Sequence, residues 1–179
     1  KPALRFSRDM FLLSFYLRGI PFVDLVHLRK TDVKHNTIYY YRHKTRQQLS
    51  VHIESYAAQI INRYKNEAAS SPYLLLILSL TGEDGYRQYK SALRLYNQHL
   101  HTLSKMLRLS IPLTSYVARH SWATTAKDEG VAISVISESL GHTSEKVTHV
   151  YLASFDNNAM SKANKKVIAT IHPNKKKKP

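Results

Sequence analysis

SYVARHSWATT at residues 115–125 and LGHTSEKVTHVYLASF at residues 140–155 are the two stretches that decide how this sequence is interpreted. The first brings an arginine, a histidine and a tyrosine together with no cysteine or carboxylate among them. Metal sites in proteins usually draw on thiolates or carboxylates, whereas a guanidinium fork matches the oxygens of an anion. The pattern therefore indicates an anion-binding site.

The net charge of the chain indicates which class of molecule carries the anion. Lys and Arg number 27 against 12 Asp and Glu, for a formal net charge of +15. Four of these charges come from the terminal run KKKK at residues 175–178, so the rest of the chain still carries +11. Such a balance favours a polyanionic partner, most often nucleic acid. A ribosome-associated or membrane-surface protein is the alternative at this point.

Length and composition narrow the class of protein. The 179 residues suit one main domain with a sizeable core, and the absence of cysteine excludes disulfides and thiolate metal sites. No apolar run approaches the roughly 20 residues that cross a membrane, and no signal peptide is visible. We therefore expect an intracellular, soluble protein.

Hydrophobic periodicity predicts a mainly α protein with one small antiparallel β-sheet, an α+β fold. Residues 36–54 change period: TIYYYR and LSVHIE are rich in β-branched and aromatic residues, and the polar HKTRQQ joins them as a hairpin. TGEDG at residues 81–85 is predicted as a loop, with the helix after it beginning at Tyr86. Ser7 and Thr114 or Ser115 are predicted helix caps. The predicted helices cover residues 1–19, the segment from residue 21, part of 51–65, 86–109, the Arg119 segment to residue 130, 131–141, and two short stretches within 144–152 and 161–171.

The ordered set Arg-His-Ser-Trp-Ala-Thr, Leu-Gly-His and Tyr resembles the catalytic domain of the tyrosine recombinases, the phage integrase family. In sequence, 23 positions separate Arg119 from His142, and nine more lead to Tyr151. DLVHLRKTDV at residues 24–33 resembles the family's segment before its sheet, and the hairpin then places Lys44 at the mobile catalytic lysine. The resemblance runs from about residue 5 to residue 170. It implies a catalytic domain over residues 1–170 and a basic, disordered tail at 171–179.

The resemblance also implies the chemistry. Tyr151 is the nucleophile, which forms a 3′-phosphotyrosyl link and releases a 5′-hydroxyl without metal or other cofactor. Arg119 binds the phosphate, Lys44 protonates the leaving oxygen, and His142 donates a hydrogen bond to the phosphate.

Two departures from the family pattern affect the phosphate site. Pro21 stands at the first catalytic arginine, and we expect Arg18, three residues upstream, to deliver a guanidinium to the same place. Tyr116 stands where a histidine is usual, three residues before Arg119 and therefore on the same helical face. We expect its phenol to contact the phosphate. This pattern is similar to that of integrases of mobile elements in Bacteroides-like bacteria.

The family's partner is double-stranded DNA. The helix predicted from residue 86 carries candidates for contacts with the grooves of DNA, namely Arg87, Lys90 and Arg94. An equally good interpretation is that this helix has only a structural role in the fold. Family members carry a separate N-terminal core-binding domain, and we expect this chain to be a fragment of a longer protein, without that domain. We expect the protein to be a monomer without DNA and a tetramer on recombining sites. We expect it to lie at the bacterial nucleoid in the cytoplasm.

Two alternative functions stay open. One is a DNA-binding module that has lost cleavage, which Pro21 and Tyr116 favour, and the other is a type IB topoisomerase.

Overall fold

The computed structural model describes residues 1–153. It confirms the predicted fold class, because the described residues form mainly helices beside one three-stranded antiparallel sheet. The helices are α1 (Pro2–Tyr16), α2 (Phe22–His27), α3 (Ser55–Arg63), α4 (Gly82–Met106), α5 (Val117–Asp128), α6 (Ile133–Leu140) and α7 (Glu145–Ala153), and the strands are β1 (Val33–Lys34), β2 (Thr37–Tyr41) and β3 (Gln48–His52). The predicted helix at 161–171 and the basic tail at 171–179 lie outside the described residues.

The predicted hairpin is present and its register follows the alternation of apolar residues. β2 pairs with β3 so that Ile38 faces Val51 and Tyr40 faces Leu49, and all four side chains are buried. β1 pairs on the other side of β2. Side chains alternate between the two faces of a strand, so one face of the hairpin packs on the core. The connecting turn is left at the surface, with Lys44 exposed on it.

Buried residues form two groups. The larger one joins α1, the sheet, α3 and α4, with Met10, Leu13 and Leu100 fully excluded from solvent. The smaller one lies where α5, α6 and α7 meet, and consists of Ala123, Ala126, Ile136, Leu140 and Leu152 with Trp122, Ile133 and Tyr151 packed against it. The two groups adjoin where α1 packs against α5.

A close backbone approach seats α5 on the turn after α1. Gly19 has φ +68°, and a Cβ built there would lie 2.7 Å from the Cα of Arg119. A side chain at this position would push α5 away, so glycine is required both by its conformation and by the space available.

The predicted loop at residues 81–85 was wrong, because α4 begins at Gly82. Glu83 and Asp84 occupy its first turn, where negative charge is favourable to the helix dipole. That contribution, with burial of Gly85, outweighs the turn character of two glycines in five residues. The apolar sequence SSPYLLLILSL before it, residues 70–80, predicts a buried segment, but burial alternates there: Leu75 and Leu78 are buried, whereas others such as Leu76 are about half exposed.

The predicted helix caps were also wrong. α1 begins at Pro2, where a missing N–H costs nothing. Ser7 is buried in the middle of that helix, and its hydroxyl lies 2.9 Å from Nδ1 of His99 on α4. The position before α5 is Tyr116, with no side-chain capping hydrogen bond, so neither Thr114 nor Ser115 caps this helix.

Candidate active site

Arg119 is the centre of the site. It lies on α5 with only 2% of the residue exposed, and two backbone carbonyls hold its guanidinium: Gly19 at 3.1 Å and Leu140 at 2.6 Å. These carbonyls belong to the turn after α1 and to the end of α6, so three parts of the chain meet at one side chain. Burial and the nearby charge of Arg42 lower the pKa of Arg119, yet an arginine stays charged at neutral pH.

Arg42 is a second buried guanidinium that the sequence analysis missed. It follows β2, is 6% exposed, and donates from one terminal nitrogen to the same Leu140 carbonyl at 2.5 Å. Its Nε lies 3.4 Å from the carboxylate of the buried Asp24. A signal was available, because Arg42 continues the inward-facing alternation of Ile38 and Tyr40 and so puts a charge where the pattern calls for an apolar residue.

His142 reaches the site because α6 ends at a left-handed glycine. Gly141 has φ +63°, and a Cβ there would lie 2.8 Å from Cδ of Arg42, so only glycine lets the turn close. Nε2 of His142 then lies 3.3 Å from the guanidinium of Arg119, and Nδ1 lies 2.8 Å from the hydroxyl of Thr148. Burial, followed by the charges of Arg119, Arg42 and Lys44, lowers the pKa of His142 to about 4.

Tyr151 lies beside these groups on α7. Its ring stacks on His120 with centroids 4.7 Å apart and meets the ring of His142 edge-on at 5.5 Å. Burial raises the pKa of its phenol, while the charge of Arg119 and a hydrogen bond from it act in the opposite direction. Tyr116 is 48% exposed and forms the outer edge of this group, with its ring 6.3 Å from that of Tyr151 and 4.6 Å from that of His120.

Lys44 is near the same group, on the exposed turn of the hairpin. The hydroxyl of the next residue, Thr45, donates to the carbonyl of Gly141 at 3.3 Å, which ties the turn to the end of α6. The charge of Lys44 is close enough to His142 to contribute to the lowered pKa of that imidazole.

Arg18 points elsewhere in the structure. It has φ +57°, and its guanidinium lies 3.4 Å from the carbonyl of Ser50 on β3, in a polar pocket that α6 closes with Glu138. Pro21 stands at the start of α2. The interpretation of Arg18 as a phosphate contact stays a prediction, while Arg42 is the guanidinium that the fold brings to Arg119.

The three candidate DNA contacts on α4 are all exposed. Arg87 lies 3.7 Å from Asp84 in the same helix, and the ammonium of Lys90 lies 5.9 Å from the ring centroid of Tyr86. These are local contacts of the helix surface, and the role of Arg87, Lys90 and Arg94 stays a prediction.

Residues 1–153 contain no group of three or more His, Asp or Glu side chains placed to hold a metal ion. Within the same residues, no helix combines the length and the apolarity that crossing a bilayer requires.

Solved structures with the same fold are recombinases. XerA recombinase superposes with a TM-score of 0.62 at 18% identity, over 94% of this chain and 63% of that one. A lambda integrase dimer bound to a COC′ core site gives 0.60 at 14%, over 85% and 53%. XerH recombinase bound to a palindromic difH substrate, in a post-cleavage complex, gives 0.66 at 15%, over 92% and 46%. The chain therefore spans about half to three fifths of the length of these proteins.

Sequence comparison gives the family directly. No curated protein matches the chain. The model of the phage integrase family, in contrast, matches residues 6–158, which is most of the sequence and includes every residue of the site described above. The chain belongs to the phage integrase family, the tyrosine recombinases.

Proposed function

We propose that this chain is the catalytic domain of a site-specific DNA recombinase, which integrates or excises DNA by cleaving and rejoining strands through a 3′-phosphotyrosyl intermediate. The observation that carries the proposal is the pair of buried guanidiniums, Arg119 and Arg42, sharing the Leu140 carbonyl beside Tyr151. The buried carboxylate of Asp24 balances only one of these two charges, so the site keeps a net positive charge that a bound anion would offset.

The arginines suit a phosphodiester. Its own charge repels a nucleophile, and its negative charge grows in the pentacoordinate transition state. Guanidiniums held in place by carbonyls need not reorganise as that charge develops, so they bind the transition state better than the ground state. Removing one such donor typically costs a factor of about 10²–10³ in rate.

Tyr151 is the proposed nucleophile. Attack of its oxygen on phosphorus forms a phosphotyrosyl bond and breaks the bond to the 5′-oxygen, which takes a proton from Lys44. The new bond retains the energy of the old one, so a second strand can be joined without ATP. An exposed lysine on a hairpin turn suits the general acid, because it must reach a substrate atom that enters from outside.

We further propose that Arg42, and not Arg18, supplies the function of the first arginine that Pro21 replaces. Arg42 donates to the carbonyl that also holds Arg119, whereas Arg18 contacts Ser50 on the far strand of the hairpin. The carboxylate of Asp24 lies 3.4 Å from Nε of Arg42. This ion pair orients the guanidinium so that its terminal nitrogens can bind an anion. Tyr116 is proposed as an outer phosphate contact, since it is exposed at the edge of the group.

The proposed partner is double-stranded DNA, read in part through Arg87, Lys90 and Arg94. The net charge of +15 supports this partner, as do the solved structures of lambda integrase bound to a COC′ core site and of XerH bound to a difH substrate. We propose a monomer without DNA and a tetramer on recombining sites, acting at a bacterial nucleoid, with a core-binding domain completing the protein.

A covalent trap tests the proposal. The protein is incubated with a randomised pool of nicked duplexes that lose the cleaved fragment, and adducts that survive denaturant are counted. We expect adducts with the unmutated protein, none with Tyr151→Phe, and a loss of about a hundredfold or more with Arg42→Ala. Arg5→Ala, an exposed arginine on α1, is the matched control and should keep full activity.

The alternatives give other outcomes. If the unmutated protein shifts DNA in a gel but forms no adduct, the protein is a DNA-binding module that has lost cleavage. If Arg18→Ala abolishes the adduct and Arg42→Ala does not, Arg18 is the missing arginine. Relaxation of supercoils without exchange between two sites would assign a type IB topoisomerase instead.

A further inference from the structure

Thr148 is a fully buried hydroxyl that touches the candidate site and has no part in the function proposed so far. It lies on α7, one turn before Tyr151, with 0% of the residue exposed. Its oxygen lies 2.8 Å from Nδ1 of His142, whose other ring nitrogen, Nε2, lies 3.3 Å from the guanidinium of Arg119. Each ring nitrogen of His142 thus faces a different partner.

The chemistry of these partners selects one tautomer. A guanidinium has only N–H donors, so a hydrogen bond between Arg119 and Nε2 requires a lone pair on Nε2. The proton of the neutral imidazole then sits on Nδ1 and is donated to the hydroxyl of Thr148, which can accept it. The bond made by one nitrogen decides what the other can do.

We propose that Thr148 is a positioning residue that holds His142 in the Nδ1–H tautomer, so that Nε2 accepts the phenol proton of Tyr151 during attack. The inference rests on the proposed function. In this step the O–H bond of Tyr151 breaks and its proton moves to Nε2, while the phenol oxygen bonds to phosphorus. The bond from phosphorus to the 5′-oxygen breaks, and Lys44 protonates that oxygen. His142 is then an imidazolium, which can donate its new N–H to the phosphate.

Ring geometry favours His142 over its neighbours as the acceptor. Its ring meets that of Tyr151 edge-on, with 71° between the planes. His120 stacks nearly parallel on Tyr151 at 15°, and a stacked imidazole directs its in-plane lone pair away from the partner ring. Tyr116 presents a phenol, which is a poor proton acceptor.

The charges around His142 keep the acceptor available. Arg119 faces it from α5, Arg42 and Lys44 from the hairpin, and Tyr151 from α7. Burial, followed by the charges of the three cations, lowers the pKa of His142 to about 4. The imidazole is therefore neutral at pH 7, and Nε2 carries a lone pair that accepts from Arg119 in the free protein. This lone pair can take the phenol proton once the guanidinium turns to the phosphate. A phosphodiester bound among the same cations offsets their charge and raises this pKa, which lets His142 retain the proton it receives.

The tautomer can be measured without DNA. Nitrogen-15 NMR of histidine-labelled protein at pH 7 should show His142 with a protonated Nδ1 and an unprotonated Nε2. Thr148→Val keeps the shape but removes the acceptor, and should shift the signals toward the Nε2–H tautomer. Thr148→Ser should restore them, and Thr125→Val, an exposed threonine on α5, should leave them unchanged.

The covalent trap gives the second readout. Thr148→Val should slow adduct formation by about tenfold to a hundredfold, less than the roughly 10²–10⁴-fold that a positioned base contributes, because His142 itself is retained. Thr148→Ser should recover most of the rate. An Nε2–H tautomer in the unmutated protein would overturn the inference, as would equal rates for the valine and serine variants. Absence of any adduct from a protein with the expected tautomer would instead reject the proposed function and the proton transfer with it, and leave Thr148 as a structural contact of His142.

Discussion

At the scale of the residue, the site depends on cations that the fold holds in place with carbonyl oxygens. Arg119 and Arg42 both donate to the carbonyl of Leu140. Asp24 provides the buried carboxylate that lies next to Arg42 among the described residues. Burial and the excess of positive charge lower the pKa of Arg119 and of His142. In the proposed function, the free protein therefore has its cations in place before the phosphate arrives.

Gly19→Ala tests how closely the position of Arg119 is set. The added Cβ would meet backbone of Arg119 at 2.7 Å and would also strain a residue with φ +68°. Gly130→Ala is the matched control, since its φ is +80° but nothing lies within 4 Å of the added atom. We expect about 1–2 kcal/mol of destabilisation in the control and clearly more at Gly19 in urea unfolding, with a loss of adduct formation only at Gly19. Equal losses for both variants would show that the contact with α5 is unimportant.

The residue scale also separates what sequence reasoning can reach from what it cannot. Arg119, His142 and Tyr151 were identified from order and spacing, and the structure brings them together. Arg42 was missed because an arginine at the end of a strand, next to a polar turn, is most often solvated, and its burial depends on helix α6, which is remote in sequence. Arg18 was selected by its proximity in sequence to Pro21, but proximity along the chain does not determine the direction of a side chain.

At the scale of the element, single polar contacts position the helices and the hairpin. Asp24 on α2 accepts a hydrogen bond from the backbone N–H of His43 at 2.9 Å, and the hydroxyl of Thr45 binds Gly141. The turn that carries Lys44 is thus held between α2 and the end of α6. Asp9 on α1 likewise holds α3 in place, because its carboxylate accepts hydrogen bonds from the guanidinium of Arg63 at 2.5 Å and from the hydroxyl of Tyr64 at 2.7 Å.

The hydrogen bonds that Asp9 accepts from Arg63 and Tyr64 predict how the stability of the protein changes in acid. Burial acts to raise the pKa of Asp9, but hydrogen bonds from Tyr64, Arg8 and Arg63 outweigh it and hold the pKa below its ordinary value. A carboxyl with a lowered folded-state pKa stabilises the protein above its unfolded pKa, near 4, and the stabilisation is lost as pH falls through the folded value. Asp9→Asn should therefore cost about 1.5–3 kcal/mol at pH 7 and much less at pH 2.

Urea unfolding as a function of pH measures this difference. Asp84→Asn is the control, because Asp84 is 72% exposed at its side chain and pairs with Arg87 at only 3.7 Å. The control should change stability by a few tenths of a kcal/mol at either pH. A penalty for Asp9→Asn that is independent of pH would contradict the role given to its charge.

At the scale of the whole molecule, two groups of buried residues meet at the site. Arg119 and Arg42 lie where the smaller group, formed by α5, α6 and α7, packs against the sheet and the turn after α1. Residues from positions 19 to 151 converge there, so no segment of the chain contains the site by itself. In the proposed function, the basic charge of the whole chain provides the general attraction for DNA.

Salt dependence tests that attraction. If the protein neutralises six or more phosphates, raising salt from 50 to 200 mM should weaken duplex binding about a thousandfold. The combined variant Arg87→Ala, Lys90→Ala and Arg94→Ala should reduce the slope of log K against log salt by roughly 0.9 for each phosphate contact removed. Lys65→Ala, an exposed lysine after α3, should leave the slope unchanged. An unchanged slope in the triple variant would assign α4 to the scaffold.

The sequence by itself determined the fold class, the hairpin, most of the helices and the family, because these depend on periodicity and on the order of a few residues. It also selected Arg119, His142 and Tyr151, which the structure brings together. Only the tertiary structure decided that Arg42 accompanies Arg119, that α4 begins at Gly82, and that Thr148 faces Nδ1 of His142. Such contacts join parts of the chain that are distant in sequence, and their directions depend on how helices pack, which a pattern along the chain does not record.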